Sequence, residues 1–118
     1  MTIDWKATQK KAVYSILQQY PAEGGQCDAA AEAILPIAKE LDGSAQVLKI
    51  VPSSKLKRAR FIIPVGRTAK WGEPWYVHYM NEVMLHYVDA LTGPDGTVAT
   101  NYLQTHWEHP DDLEIHPV

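Results

Sequence analysis

The chain has 118 residues, enough for one domain with a substantial hydrophobic core and too few for two. Hydrophobic residues make up 46% of it and charged residues 21%, a balance typical of globular proteins and unlike that of disordered ones. The net charge of −3, and the lack of any apolar run near the roughly 20 residues that span a bilayer, argue against nucleic acid and membrane as partners.

The first half of the chain predicts two helices. Residues 4–20 repeat apolar side chains with the period of an amphipathic helix, which Pro21 should end. From residue 26 or 27 to residue 41 the chain is alanine-rich, which predicts a helix buried on most sides, because small side chains let other elements approach closely. Pro36 should kink this second helix or split it in two.

After residue 43 the pattern changes to short β-branched runs. These predict strands over residues 46–51, 60–65, 74–80 and 83–90. A short helix is predicted over 100–107 and a final extended segment over 111–118. Helices followed by an antiparallel sheet indicate an α+β fold, here in a single domain covering residues 1–118.

The compartment is indicated by the N-terminus and by the cysteine count. No apolar core follows a basic start at the N-terminus, so no secretory signal is visible. Cys27 is the only cysteine, which excludes an internal disulfide. We expect a cytoplasmic protein, or one exported without a cleaved signal into a target cell.

Cys27 lies where a glycine-containing loop leads into the second predicted helix. The free amide groups and the dipole of a helix start favour an anion, so they lower the pKa of a thiol towards the reactive thiolate. A lone cysteine among alanines is also typical of a small buried core residue. Both interpretations of Cys27 stay open on its position alone.

His78 and Asp89 add the other groups that a thiol nucleophile needs. His78 lies in an otherwise apolar and aromatic predicted strand, and an imidazole can take the thiol proton and return it to the leaving group. Asp89 ends the next predicted strand, and a carboxylate can hold the imidazole in one tautomer and orientation. The candidate catalytic residues are therefore Cys27, His78 and Asp89.

This order resembles the papain-like cysteine hydrolases, above all the small papain-fold toxin domains of bacterial polymorphic and contact-dependent systems. The likeness rests on Gly-Gly-Gln-Cys ending at Cys27, Trp-Tyr-Val-His ending at His78, and Tyr-Val-Asp-Ala-Leu-Thr-Gly around Asp89. The resemblance implies a papain-like fold, with the cysteine at the start of a central helix packed on an antiparallel sheet. Transglutaminase-like acyltransferases share the same Cys-His-Asp order.

The resemblance implies a hydrolase that cleaves an amide, as a cysteine protease or as a deamidase of protein glutamine. It needs neither a metal nor an organic cofactor. The resemblance also implies a protein or peptide substrate and, for an effector toxin of this kind, a cognate immunity protein that holds it inactive. The family often carries an oxyanion-binding glutamine several residues before the cysteine. Gln18, Gln19 and Gln26 do not match that spacing well, so the Cys27 amide is the surest donor, and whether one of these glutamines assists it stays open.

Two registers are possible for the hairpin that carries His78 and Asp89. In the first register the turn is at Asn81-Glu82, and Asp89 then lies four residues beyond the position opposite His78. In the second register His78 and Asp89 lie directly opposite each other, and the turn is then at the apolar pair Val83-Met84. A bulge could bring His78 and Asp89 together in the first register, and a partner could cover the apolar turn in the second. His86 is an alternative base, but in the first register it points to the sheet face opposite His78.

Two other kinds of site compete with this interpretation. His106, His109, Asp111, Asp112 and His116 have spacings that could collect zinc. A non-catalytic binding module is the second competitor, because the chain has four tryptophans and six tyrosines, several of them close together. In the hydrolase interpretation three of these, Trp71, Trp75 and Tyr76, are expected to wall the substrate groove.

Overall fold

The computed structural model describes residues 2–22, 25–57, 60–65 and 75–118. These residues form three α-helices and a five-stranded antiparallel sheet, so the predicted α+β class is confirmed. The helices are α1 (Ala7–Gln19), α2 (Cys27–Leu41) and α3 (Ala99–His106), and the strands are β1 (Gln46–Pro52), β2 (His78–Val83), β3 (His86–Val88), β4 (Thr97–Val98) and β5 (Leu113–Pro117). The strand order is β4-β3-β2-β1-β5.

Each face of the sheet covers its own hydrophobic core, because successive side chains of a strand point to opposite faces. On one face, Val83 and Val88 pack with buried residues of α1 and α2. On the other, Met80 of β2 packs with Tyr102 of α3 and with Trp107. Every helix in the described ranges is too short or too polar to cross a membrane.

α2 runs along the sheet on a face made of small and aliphatic side chains. Ala30, Ala31, Ile34 and Ala38 are its buried residues, and their spacing places them on one side of the helix. The buried side-chain amide of Asn81 in β2 donates a 3.0 Å hydrogen bond to the Ala31 carbonyl. This bond and the alanine face bring α2 close to β2 at the centre of the sheet.

The predicted helices agree closely with the structure at most of their ends. The alanine-rich helix over 27–41 is confirmed, and it continues through Pro36, so of the two effects expected of this proline, a kink or a split, the split does not occur. The helix predicted over 100–107 is α3, displaced by one residue. The helix predicted from residue 4 begins only at Ala7, and Trp5 before it is tied to the Pro94 carbonyl by its indole N–H at 2.7 Å.

The predicted turn at Asn81-Glu82 was wrong. β2 continues to Val83, and a two-residue turn at Met84 and Leu85 leads to His86. Asn81 is fully buried and bonded to α2, so it has no freedom to form a turn. The strands predicted over 74–80 and 83–90 are correspondingly displaced.

Met84 and Leu85 both adopt left-handed backbone conformations, with φ of 49° and 63°, that L-residues disfavour. Tertiary contacts hold them there. The Met84 N–H donates to the Asp42 carboxylate at 2.8 Å, and the Ala99 N–H donates to the Leu85 carbonyl at 2.9 Å. The turn is therefore set by its surroundings and not by its own residues.

The strand predicted over 60–65 and the extended segment predicted over 111–118 differ in outcome. In 60–65 the structure has only two isolated bridges, Ile62 with Trp75 and Pro64 with Trp107. Pro64 has no N–H to donate, which limits a regular ladder there. The second segment is confirmed in part, since β5 covers residues 113–117 along β1.

Leu85→Gly should stabilise the fold. Glycine adopts positive φ without the steric cost that leucine meets, and Leu85 is 67% exposed, so little burial is lost. We expect the free energy of unfolding in urea to rise by about 1 kcal/mol. Met84→Gly is the matched comparison and should gain less, because Met84 packs against the first core. An unchanged or lower value for Leu85→Gly would contradict this account of the turn.

Candidate active site

Cys27 is the first residue of α2 and is half-buried. Two positions earlier, Gly25 has a φ of 69°, a left-handed conformation that favours glycine, with open space where a side chain would stand. The N–H of Cys27 lies in the first turn of the helix, where backbone donors have no carbonyl partner within the helix. The sulfur therefore sits at a helix start, beside backbone groups that favour an anion.

His78 is the first residue of β2 and lies almost entirely out of solvent, with 1% exposure. Its ring is stacked on the indole of Trp75, with centroids 5.7 Å apart and planes 9° from parallel. The indole of Trp107 contacts it from another direction at 5.2 Å. Two indoles thus fix the imidazole plane and exclude water from it.

Asp89 follows β3 and meets His78 across the hairpin. The observed register pairs Asn81 with Val88, so its continuation places Met80 opposite Asp89. His78 is two residues from Met80 on the same face, which makes His78 and Asp89 diagonal neighbours. Nε2 of His78 lies 2.8 Å from Oδ2 of Asp89. Neither register considered from the sequence was right, and no bulge is needed.

The Asp89 carboxylate is held on all sides. Its Oδ1 accepts hydrogen bonds from the backbone N–H groups of Leu91 and Thr92, each at 2.9 Å. Its Oδ2 accepts from His78 and also from the hydroxyl of Tyr102 in α3. The turn closes at Gly93, which has a φ of 76° and donates its N–H to the Asp89 carbonyl at 3.0 Å.

These contacts fix the tautomer of His78. An ionised carboxylate only accepts hydrogen bonds, so Nε2 carries the proton that Asp89 accepts. Nδ1 is buried and has no hydrogen-bond partner of regular geometry among the described residues. The Cys27 thiol also interacts with the ring, by hydrogen bonding and by charge. Nδ1 is therefore the nitrogen that can exchange a proton with sulfur.

The same contacts shift the pKa values of the thiol and the imidazole in opposite directions. Burial raises the pKa of Cys27, but the hydrogen bond and charge of His78 and the Tyr79 backbone N–H outweigh it, so the pKa falls below 9.0. Burial lowers the pKa of His78, but the hydrogen bonds and charges of Asp89 and Cys27 raise it to about 9. Both shifts favour the thiolate–imidazolium pair over the neutral pair.

The pKa values of Asp89 and Tyr102 are shifted in directions that keep their hydrogen bond intact. Burial raises the pKa of Asp89, but the hydrogen bonds from His78 and Tyr102 and the His78 charge lower it overall, so the carboxylate stays ionised. Burial and the Asp89 charge raise the pKa of Tyr102 well above its usual value. Tyr102 therefore remains a hydrogen-bond donor to Asp89.

A cleft of about 340 Å³ lies beside Cys27. Its walls include Cys27, Asp28, Trp75 and Tyr76, and Tyr76 is 62% exposed. Trp75 and Tyr76 thus occupy the wall positions expected of them. Trp71, the third expected wall residue, lies outside the described residues.

The structure also places the residues considered for alternative roles, namely the second candidate base, the oxyanion glutamines and the zinc ligands. His86 is paired with Val83 on the side of the sheet that faces α1 and α2, opposite to the face of His78, and its Nδ1 is 2.7 Å from the Met84 carbonyl. Gln18, Gln19 and Gln26 are all exposed. Within the described ranges, no group of three or more His, Cys, Asp or Glu side chains could hold a metal ion.

Three contributors were not singled out from the sequence. Tyr102 contacts Asp89, and Trp107 contacts His78. Each contact joins residues more than ten positions apart in the chain, so no local sequence pattern indicates it. Thr92 did carry a signal. An Asp followed three residues later by Thr and then Gly is typical of a turn in which the carboxylate caps backbone N–H groups.

Comparison with known proteins adds no relative from which a role could be transferred. No family model matches the chain, and neither the curated proteins nor the solved structures give a significant match.

The pH dependence of Cys27 alkylation by iodoacetamide tests the electrostatics. The wild-type midpoint should lie below 9.0, because His78 and the Tyr79 N–H stabilise the thiolate. His78→Ala removes the imidazole but leaves the burial, so the midpoint should move upward and the rate at pH 7 should fall about tenfold or more. The difference should shrink above pH 9, where His78 loses its proton. Coincident curves would show that the imidazole does not activate the sulfur.

Proposed function

We propose that the protein is a papain-like cysteine hydrolase that cleaves an amide in a protein or peptide. The observation that carries the proposal is the fixed tautomer of His78, whose Nε2 is held 2.8 Å from Asp89, so that Nδ1, which has no hydrogen-bond partner of regular geometry among the described residues, is the nitrogen left for the thiol. The lowered pKa of Cys27 and the raised pKa of His78 both favour the nucleophile in its reactive thiolate form.

Acylation follows from that arrangement. The Cys27 thiolate attacks the amide carbonyl carbon and forms a carbon–sulfur bond. The His78 imidazolium gives its Nδ1 proton to the amide nitrogen, the carbon–nitrogen bond breaks, and the amine leaves. A thioester remains on Cys27, and His78 is neutral.

Deacylation reverses the roles. Neutral His78 takes a proton from water at Nδ1, and the oxygen attacks the thioester carbon. The carbon–sulfur bond breaks, the carboxylic acid leaves, and the thiolate–imidazolium pair is restored. The Asp89 carboxylate stabilises the imidazolium in both steps without itself accepting the proton.

The negative charge that develops on the carbonyl oxygen needs donors near the sulfur. The Cys27 N–H is suited to this, since it belongs to the first turn of α2 and has no helical carbonyl partner. The glutamines considered for this role are exposed, so the backbone amide is the donor that we assign.

Replacing the nucleophile tests whether the protein is an enzyme or a binding module. Cys27→Ala should fold as the wild type but lose cleavage by on the order of 10³-fold or more, and His78→Gln should do the same. Incubation with a peptide library followed by mass spectrometry measures new termini from peptidase action and the conversion of Gln to Glu from deamidation. Addition of a primary amine reveals acyl transfer.

His116→Gln is the matched control for the histidine substitution. His116 is exposed on β5 and paired with Glu114, so its replacement should leave the cleavage rate unchanged. A wild-type protein that acts on no amide in the library, or a Cys27→Ala variant that is equally active, would contradict the proposal and favour a binding module.

The proposal extends to an effector toxin with a cognate immunity protein as partner. Its support is the family resemblance of the segments around Cys27, His78 and Asp89. Expression of the wild type in a bacterial cytoplasm should slow growth, whereas expression of Cys27→Ala at equal level should not. Equal growth of both strains would contradict the toxin role and leave the hydrolase chemistry untouched.

A further inference from the structure

We propose that Tyr102 is a positioning residue of this site: its hydroxyl shares the Asp89 carboxylate with His78 and limits how tightly that carboxylate holds the imidazolium. The catalytic meaning of this inference rests on the proposed function. The hydrogen bonds that it concerns exist in the free protein and need no substrate.

The geometry makes Tyr102 and His78 competitors for one oxygen atom. Both donate to Oδ2 of Asp89. The other oxygen, Oδ1, is anchored by two backbone N–H groups, those of Leu91 and Thr92. With Oδ1 fixed by the turn, the carboxylate cannot rotate to give each side-chain donor an oxygen of its own.

The surroundings hold the Tyr102 hydroxyl in place. Tyr102 is completely buried in α3. Its ring meets Tyr87 edge to face at 5.2 Å and packs against His106 at 5.1 Å. A buried phenol without water is costly unless its hydroxyl is bonded, and Asp89 is the acceptor that satisfies it.

Sharing the carboxylate has a chemical consequence. A carboxylate with a single side-chain donor would concentrate its charge on the His78 N–H and hold the imidazolium strongly. His78 must release its other proton to the leaving amine, so an imidazolium held too strongly is a poor general acid. The Tyr102 hydroxyl takes part of the Oδ2 charge and keeps the proton transferable.

Several titratable groups face this network and enter the design of the test. Cys27 approaches His78 from α2, and its thiolate also raises the His78 pKa. His106 faces Tyr102 on α3; burial lowers its pKa, and Thr97 lies 2.8 Å from its Nε2. A Cys27→Ala background removes the thiolate, so the His78 titration then reports mainly on Asp89 and Tyr102.

The experiment is an NMR titration of the His78 ring in Cys27→Ala, with the resonance assigned by loss in His78→Gln. Adding Tyr102→Phe should raise the His78 pKa by about one unit, because the carboxylate then serves His78 alone. Adding Tyr87→Phe is the matched control. It removes a neighbouring phenol oxygen for which no bond to Asp89 is found, and should leave the His78 pKa unchanged.

A second variant gives the opposite change without removing the hydroxyl. Site-specific 3-fluorotyrosine at position 102 is a more acidic phenol and a stronger donor, so the His78 pKa should fall. This variant also serves if Tyr102→Phe does not fold. A His78 pKa that is unchanged or lower in Tyr102→Phe, or unchanged with fluorotyrosine, overturns the inference.

The two proposals fail in different ways. If His78 titrates in the wild type at an ordinary histidine pKa, the proposed ion pair and the hydrolase mechanism lose their support. If the wild-type pKa is raised but does not respond to Tyr102, the hydrolase proposal stands and Tyr102 is only a packing residue.

Discussion

The candidate site depends on one buried ionised group, the carboxylate of Asp89. A carboxylate at 4% exposure is tolerable only when its oxygens are hydrogen-bonded, and here four donors meet it. Two of them are backbone N–H groups of its own turn, one is an imidazole from β2, and one is a phenol from α3. The carboxylate therefore ties three separate parts of the chain together.

The hairpin geometry explains how Asp89 reaches His78. The left-handed turn at Met84 and Leu85 sets the pairing of β2 with β3, and the pairing makes the two residues diagonal neighbours on one face. Asp42 at the end of α2 accepts a hydrogen bond from that turn. The helix that begins at Cys27 thus also contributes, at its far end, to the register that orients the imidazole.

Burial alone would work against this chemistry, because it raises the pKa of the thiol and lowers that of the imidazole. The hydrogen bonds and the charges of the neighbouring groups reverse both shifts. Trp75 and Trp107 keep water from the ring, which strengthens these interactions. The combination favours ionised groups in a buried site, and the cleft lined by Cys27 lies beside them.

The sequence by itself determined the fold class, the extent of α2 and the three candidate residues, because these depend on local periodicity, on alanine content and on residue chemistry. It did not determine the hairpin register, since two non-glycine residues occupy the turn and are held there by Asp42 and Ala99. It also did not reveal Tyr102 or Trp107 as partners of the pair. Those contacts join residues that are distant in the chain, and only their packing on one face of the sheet brings them together.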